Sequence, residues 1–256
     1  RVMDMYPNED GGRSWGKDMS MGAHNLVVLG VLDQDDRRSV EWIANYLEDF
    51  WCVQGGMGAY SLEETTNDWF NLGGFSKVQP YYTRLVEMHA LMDDVKPFIR
   101  AYFNAIPSLL NTENLNFWEH FGNGGAWNKP HETGWFLAQT RLMLVMERGS
   151  ELWLAPFVTT HWMHNGMTIA VENAPTRFGN VSYTITSHVN DGFIDAEIDP
   201  PARSTPETIL LRLRHPEGKR IRSVEVYGNP HADFDPEKEC IRLQPDSAKI
   251  TLRARY

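Results

Sequence analysis

The segment from Phe117 to Phe136, FWEHFGNGGAWNKPHETGWF, combines aromatic rings, carboxylates, imidazoles and glycines between two helix-like stretches. Aromatic faces stack on the C–H faces of sugars, and pairs of carboxyl groups cleave glycosidic bonds. Most of the segment follows neither the helical nor the strand hydrophobic period. Because its aromatic content argues against disorder, we expect an ordered, functional loop that handles sugar.

Glu119 is the leading candidate for a catalytic residue in this loop. It lies between Trp118 and His120 and is followed by Phe121 and a run of glycines. A carboxylate between rings is partly desolvated, which raises its basicity and suits a general base. The competing interpretation is a solvated or capping carboxylate, as acids in loops commonly are.

His131 and Glu132 lie where the last predicted helix begins. In the first helical turn, Glu132 would interact favourably with the positive end of the helix dipole. His131 could donate a hydrogen bond to a sugar hydroxyl from the rim of the loop. Glu132 is therefore expected to be structural and His131 to bind substrate.

A second acidic and aromatic group, SLEETTNDWFNLGGF, lies earlier in the chain. Glu63 and Glu64 are adjacent, so they cannot both face one cleft. At least one of them is expected to lie at the N-terminus of a helix. Glu64 is the second candidate catalytic residue. The candidate substrate-binding residues of the two groups are Trp118, Phe121, Trp127, His131, Trp69 and Asp68.

Composition and motifs exclude several functional classes. The 256 residues carry a formal net charge of −10, so nucleic acid is not an expected partner. The apolar run from Leu26 to Leu32 is too short to span a membrane. Cys52 and Cys240, the only cysteines, lack metal-ligand spacing, so neither a metal nor a cofactor is predicted. The motifs of phosphate-binding loops, lipase-like enzymes and zinc proteases are missing.

The first residue, Arg1, is not an initiator methionine. We therefore expect that the rest of a longer polypeptide is missing from this chain. Two cysteines suit the cytosol as well as an exported protein, so the compartment stays open, with an extracellular or periplasmic location slightly favoured.

Hydrophobic spacing divides the chain into a helical part, residues 1–149, and a β part, residues 150–256. Helical spacing predicts helices at Met21–Leu32, Val40–Phe50, Tyr82–Met92 and Ile99–Leu110, and a last helix from about Thr133 that buries Phe136, Leu137, Thr140, Met143 and Leu144 and ends at Glu147–Gly149. Short β-branched runs separated by turn signals predict an antiparallel β-sandwich. They are Leu152–Val158, Thr168–Glu172, Val181–His188, Phe193–Ile198, Thr208–Leu213, Ile221–Tyr227, Cys240–Leu243 and Lys249–Arg255.

The order FWEHF, a glycine-containing spacer, NKPH and ETGWFLAQTRLML resembles the closing part of the catalytic barrel in α-L-rhamnosidase-type glycoside hydrolases. The resemblance implies a partial (α/α)6 toroid of helical hairpins followed by a β-sandwich, whose start is similar to ELWLAPFV and NAPTRFG here. It further implies that Glu119 is the general base of an inverting hydrolysis, that Trp118 and Phe121 line the sugar pocket, and that His131 contacts substrate.

The same resemblance implies a general acid from the earlier half of the barrel. Either this acid lies outside the chain, or Glu63, Glu64 or Asp68 replaces it. The leading hypothesis is an inverting glycoside hydrolase that degrades plant or algal polysaccharide, including terminal deoxysugars such as rhamnose.

Two other functions fit the same residues. A carbohydrate-binding or scaffolding protein would keep the aromatic cleft but lack the paired acids. A polysaccharide lyase would use Tyr60, Tyr81 or His131 to abstract a proton beside a uronate carboxylate, helped by Arg84.

Overall fold

The computed structural model describes residues 25–34, 36, 81, 84–119, 127–245 and 248–256. The chain forms two compact units, Arg1–Thr140 and Arg141–Tyr256. The predicted helix Val40–Phe50 lies outside the described residues. Of the predicted helix Met21–Leu32, the described part contains a helical turn at residues 25–28.

The predicted helices on either side of Asp93 are confirmed. Helix α1 is Leu85–Leu91 and helix α2 is Val95–Leu109, and the two pack against each other. One face of α2 is apolar and buried, because Phe98, Ala101, Tyr102, Ala105 and Leu109 recur at helical spacing. Within the described residues, no helix is both long and apolar enough to cross a bilayer.

The last predicted helix, α3, is Pro130–Leu144 and begins three residues before the predicted start at Thr133. Proline is favoured at the first helical position, since it has no N–H to leave unpaired and its φ angle is already helical. The expectation that residues 130–132 belong to the irregular loop is therefore wrong. Of the described residues of the segment from Phe117 to Phe136, Trp118, Glu119 and residues 127–129 lie outside any helix or strand.

The face of α3 that points inward also differs from the prediction. Leu137 was expected in the core but is 61% exposed, whereas Met143 is fully buried as expected. The fully buried residues nearer the start of the helix are Glu132 and Gln139. Polar positions on this helix therefore face the interior, which hydrophobic spacing could not indicate.

An aromatic cluster forms the core around α3. The rings of Tyr81, Phe117 and Phe136 contact one another, with centroids 4.9 to 5.3 Å apart. Tyr102 of α2 stacks on Phe136 with a centroid distance of 5.5 Å. The cluster joins α2, α3 and the strand that contains Phe117, so it fixes the elements on both sides of the Glu119 loop.

Two sheets make up the C-terminal part, and the predicted β-rich region is confirmed. Strands β3 to β13 are Val145–Arg148, Glu151–Leu154, Thr168–Thr176, Gly179–His188, Phe193–Asp199, Thr208–Arg212, Ser223–Val226, Asn229–His231, Phe234–Asp235, Cys240–Leu243 and Ile250–Arg255. One sheet has the order β10-β9-β13-β7-β6-β5 and the other β11-β12-β8-β4-β3. Strands β1, Leu110–Asn111, and β2, Asn116–Phe117, pair separately in the first unit.

Burial patterns explain the two kinds of strand. Alternate residues of β6 are buried, from Val181 to Ser187, so one face of the six-stranded sheet is exposed. Strand β8 is instead buried from Ile209 to Arg212, with its run of Ile and Leu.

Strand β8 pairs with β4 in parallel, which corrects the expectation of a wholly antiparallel arrangement. A parallel pair requires a long crossover, and residues 155–207 supply it.

The end of the last helix was also predicted in the wrong place. Glu147 and Arg148 belong to β3, which pairs with β4 so that Arg148 faces Glu151. Gly149 has a φ of 54° and lies in the two-residue turn between these strands. Gly149, which the sequence places at the C-terminal end of a helix, therefore lies in a β-hairpin turn. Glycine is favoured in both positions because both require a positive φ.

Hydrogen bonds link the two sheets. The hydroxyl of Tyr256, after β13, donates to the carbonyl of Leu213, after β8, at 2.9 Å. The hydroxyl of Tyr183 in β6 donates to the carbonyl of Leu144, beside β3, also at 2.9 Å. Each buried hydroxyl thus has a partner, which removes the penalty of burying it.

Candidate functional site

The Glu119 loop is closed at its base by main-chain hydrogen bonds. Immediately after β2, the N–H of Trp118 donates to the carbonyl of Leu109 at 2.9 Å. On the returning side, the N–H of Lys129 donates to the carbonyl of Phe117 at 3.1 Å. We call residues 117–119 and 127–131 the loop neck. The neck places the predicted general base beside the start of α3.

Glu119 forms an ion pair across the loop neck. Its Oε1 lies 2.8 Å from Nζ of Lys129, and the two side chains are 20% and 24% exposed. The carboxylate thus lies against a cation, partly shielded and still reachable by water. Such a pair contributes little to stability because solvent screens it, but it fixes the orientation of the carboxylate. The sequence pointed to Glu119 and missed Lys129, since only the closed neck brings the two together.

The other predicted residues of the neck differ in exposure. Trp118 is half-buried, while Trp127 is 55% exposed. The side chain of His131, the second residue of α3, is 33% exposed. The neck therefore joins a carboxylate, an ammonium, an imidazole and two indoles, and an accessible indole can stack on a sugar ring.

The remaining predicted site residues lie outside the described residues. They are the catalytic candidate Glu64, its neighbour Glu63, and the binding candidates Phe121, Trp69 and Asp68. Their roles stay predictions.

Glu132 is the second carboxylate near the neck, and it is not exposed at all. Its Oε2 accepts the main-chain N–H of Tyr81 at 3.0 Å, and its Oε1 lies 3.8 Å from Nε2 of His131. Two helical turns later, the Gln139 amide donates to the carbonyl of Tyr81 at 2.9 Å. We call this arrangement the Tyr81 clasp. Glu132 does lie in the first helical turn, but its role is to bind main chain in the interior.

Tyr81 cannot act as the proton acceptor that the lyase alternative requires. Its hydroxyl is buried and donates to the carbonyl of Tyr102 at 3.0 Å. Burial raises the pKa of the Tyr81 hydroxyl far above its ordinary value, and the nearby Tyr102 and Glu132 raise this pKa further. A phenolate is therefore strongly disfavoured here. Tyr60, the other tyrosine considered for that role, lies outside the described residues.

Arg84, the proposed helper of a lyase, is already engaged. Its Nε and Nη2 donate to Oε2 of Glu87 at 3.0 and 2.6 Å, and its Cζ lies 4.5 Å from the ring centre of Trp135. Trp135 lies in α3, within the part of the helix that the sequence predicts. The three side chains form a packed group in which the guanidinium is neutralised and stacked.

Sequence comparison identifies no relative of this chain. No protein-family model matches the sequence, and no curated protein sequence is detectably similar to it.

Three of the solved structures to which this chain is similar are glycoside hydrolases. A GH127 β-L-arabinofuranosidase from Geobacillus stearothermophilus T6 shares 12% identity over 95% of this chain and 41% of its own, with a TM-score of 0.39. An α-L-rhamnosidase from Dictyoglumus thermophilum shares 11% identity over 98% of this chain and 32% of its own, with a TM-score of 0.40. A third structure, described as a glycoside hydrolase, shares 8% identity over 72% of this chain and 34% of its own, with a TM-score of 0.37. The chain thus spans between about a third and two fifths of the length of these structures.

Proposed function

We propose that this chain is part of a glycoside hydrolase that acts on polysaccharide or oligosaccharide by an inverting, α-L-rhamnosidase-like mechanism, with Glu119 as the general base. The observation that carries the proposal is the carboxylate of Glu119, held by Lys129 at the neck of an aromatic, glycine-rich loop. The sequence motif FWEHF, which resembles the base motif of that enzyme family, independently favours the same residue.

A general base for hydrolysis must be charged and must reach a water molecule. The nearby Lys129 ammonium suits a charged carboxylate, and the 20% exposure of the Glu119 side chain lets water reach it. The base would deprotonate water on one face of the sugar ring. In inverting enzymes a second carboxyl group, roughly 6.5–9.5 Å away, protonates the leaving oxygen. Glu64 is the proposed acid in this chain, with Glu63 or Asp68 as substitutes, unless the acid comes from outside it.

The sugar would be held by the aromatic residues of the two loops. Trp118 and Trp127 lie at the neck, and stacking on an indole buries the C–H face of a sugar. His131 would donate to a hydroxyl from the first turn of α3. Phe121, Trp69 and Asp68 would complete the pocket.

The architecture proposed for such an enzyme is a ring of helical hairpins followed along the chain by a β-sandwich. Helices α1 and α2 pack as one pair, and α3 belongs to the next pair of a partial (α/α)6 toroid. The two sheets of the C-terminal part would be the trailing β-sandwich.

Replacement of Glu119 by Gln tests the proposal. The amide keeps the shape of the side chain but cannot accept a proton, so turnover of an aryl glycoside should fall by about 10²–10⁴-fold. A dinitrophenyl leaving group needs no general acid, so it should not rescue the variant if Glu119 is the base. Rescue by this leaving group would contradict the assignment as base and make Glu119 the acid. The substrates are aryl α-L-rhamnosides and L-arabinofuranosides, and proton NMR of the first anomer released reports inversion.

Glu113→Gln is the matched control, since Glu113 is an exposed glutamate on the turn between β1 and β2. It should leave turnover unchanged. Normal turnover in Glu119→Gln would remove the assignment. Sugar binding without any release of reducing ends would favour the carbohydrate-binding alternative, and products with the ultraviolet absorbance of unsaturated uronates would favour a lyase.

A further inference from the structure

Three arginines gather around the turn between strands β5 and β6. We call Arg141, Arg177 and Arg203 the arginine cluster. Arg177 lies in the turn itself, within the segment NAPTRFG. Nη2 of Arg203 donates to the carbonyls of Thr176 and Arg177. Nη2 of Arg141, from the last turn of α3, donates to the carbonyl of Pro175 at 2.6 Å. Two of the three guanidiniums therefore bind the main chain that carries the third.

The glycine at position 179 lets Arg203 approach this turn closely. Gly179 has a φ of 119°, and a Cβ atom added there would lie 3.0 Å from the main-chain nitrogen of Arg203. The N–H groups of Arg203 and Ser204 donate to the carbonyl of Phe178 at 3.1 and 2.9 Å. The hydroxyl of Thr176 donates to the carbonyl of Gly179 at 2.6 Å. Because both segments are fixed by hydrogen bonds, the cluster is held in one arrangement.

The positive charge of the arginine cluster is only partly neutralised. Nη2 of Arg141 donates to Oε1 of Glu147 at 3.1 Å, and Nε of Arg177 lies 3.8 Å from Oε2 of Glu147. Within the described part of the chain, Glu147 is the one carboxylate at ion-pair distance from these arginines. Two positive charges are therefore in excess. On a chain with a net charge of −10, this is a place where an anion is attracted instead of repelled.

Arg177 has the guanidinium that a ligand can use. Its Cζ lies 4.7 Å from the ring centre of Phe178, and its side chain is 51% exposed. The guanidinium donates no hydrogen bond to any residue that the structure describes. A guanidinium stacked on a ring keeps the N–H groups in its own plane, where they can bind a carboxylate through two parallel hydrogen bonds. Glu147 shows that a carboxylate fits beside these arginines.

We infer that the arginine cluster binds a carboxylate of an acidic sugar chain. Arg177 forms the two parallel hydrogen bonds, and Arg141 and Arg203 supply the surrounding positive charge. That the carboxylate belongs to a sugar rests on the proposed function, whereas the preference for an anion rests on the cluster itself. The substrate class is then a polysaccharide or oligosaccharide that contains uronate residues.

Calorimetric titration of the full chain with uronate trimers tests the inference. The probes are the trimers of galacturonate and mannuronate, and the neutral trimers of galactose and mannose are their counterparts. At least one uronate trimer should bind, and its neutral counterpart should bind about tenfold more weakly or less, because it cannot form charge-assisted hydrogen bonds. Since the cluster is exposed to solvent, the affinity should also fall as the salt concentration is raised.

Two variants change the charge of the arginine cluster in opposite directions. Arg177→Gln removes the guanidinium that meets the ligand and should weaken uronate binding about tenfold. Glu147→Gln removes the competing charge, so uronate binding should tighten about threefold. The amide of this variant keeps an oxygen that can accept the main-chain N–H of Arg177, as Glu147 does. Thermal unfolding of both variants checks that the fold is kept.

Arg220→Gln is the matched control for the loss of one positive charge. Arg220 lies outside the cluster, is 68% exposed and pairs with Glu237 at 2.5 Å. Its replacement should change uronate affinity by less than about twofold, since exposed charges elsewhere on the surface are screened.

Turnover is measured separately from uronate binding. Glu119→Gln should lose turnover of the aryl glycosides and keep the uronate affinity of the full chain. Uronate binding by a full chain that hydrolyses no glycoside would reject the proposed function and keep the assignment of the arginine cluster. Turnover by a full chain that binds no uronate would do the reverse.

Four results would each overturn the inference. They are no binding of either uronate trimer, equal losses of affinity in Arg177→Gln and Arg220→Gln, a Glu147→Gln variant that binds uronate no more tightly, and a triglutamate peptide with blocked ends that binds as tightly as the uronate trimers or more so. The last result would identify an acidic protein segment as the occupant.

Discussion

The Tyr81 clasp shows how single polar side chains support the start of α3. The carboxylate of Glu132 accepts the N–H of Tyr81, and the side-chain amide of Gln139 donates to the carbonyl of Tyr81. Both main-chain groups of this buried residue are therefore hydrogen-bonded. Because His131 precedes Glu132, the clasp also fixes the helical turn that carries the proposed sugar-binding imidazole. The positions of His131 and of the loop neck thus depend on a carboxylate that takes no part in the proposed chemistry.

We predict that Glu132→Ala lowers the free energy of unfolding by about 2–3 kcal/mol, because the N–H of Tyr81 is left buried without an acceptor. Glu132→Gln keeps one acceptor oxygen and should cost less. Urea denaturation measures both. The exposed Glu113 supplies the control, since Glu113→Ala should change the free energy by less than about 0.5 kcal/mol. Equal effects at positions 113 and 132 would show that the clasp is not stabilising.

At the neck, the sequence identified side chains but not their partners. Glu119 and His131 could be selected because a carboxylate between rings and a histidine beside a helix start are visible in the chain. The Glu119–Lys129 pair depends on how the loop returns, and no local pattern encodes that. Glu132 was correctly placed in the first helical turn, yet its burial depends on Tyr81, which is far away in the sequence.

Among the elements, helices and strands were predictable where hydrophobic period and turn signals agree. Helices α1 and α2 follow a clear apolar stripe, and every predicted strand of the β part has a counterpart. Strand β3 was missed because Val145 and Met146 continue the apolar run of α3. Short strands such as β10 and β11 depend on pairing partners and have little signal of their own.

We predict that two glycine-to-alanine changes affect stability with opposite signs. Gly149, with its φ of 54°, lies in the turn from β3 to β4, and alanine there should destabilise the fold by about 1 kcal/mol. Gly134 lies within α3, and an added methyl group would meet no atom within 4 Å. Gly134→Ala should stabilise by up to about 1 kcal/mol, since alanine favours the helix.

Thermal unfolding of the two glycine variants checks the assignment of each backbone position. Destabilisation by Gly134→Ala would mean that α3 does not continue through this residue. A neutral Gly149→Ala would mean that the hairpin turn is not left-handed.

Over the whole molecule, buried tyrosines connect distant segments and respond to pH together. Tyr81, Tyr183 and Tyr256 each donate a hydroxyl hydrogen bond to a main-chain carbonyl. Burial is the main cause that raises the pKa of all three. The folded chain therefore keeps protons that the unfolded chain releases above about pH 10.

We predict that this difference destabilises the protein in alkali. The unfolded state binds fewer protons above about pH 10, so the free energy of unfolding falls as pH rises beyond it and is unaffected by these groups below it. Denaturation at a series of pH values, with tyrosinate absorbance as a second signal, measures the effect. Tyr256→Phe removes one titrating hydroxyl and should make the decline shallower; an unchanged slope would contradict the prediction.

The parallel pairing of β4 with β8 has a consequence for biosynthesis. As the chain leaves the ribosome, Glu151–Leu154 emerges long before Thr208–Arg212, while the β5–β6–β7 meander between them can already pair locally. During that interval one side of β4 is a bare hydrophobic edge open to other nascent chains. Slow translation between these segments would prolong this exposure, so aggregation of newly made protein should depend on elongation rate.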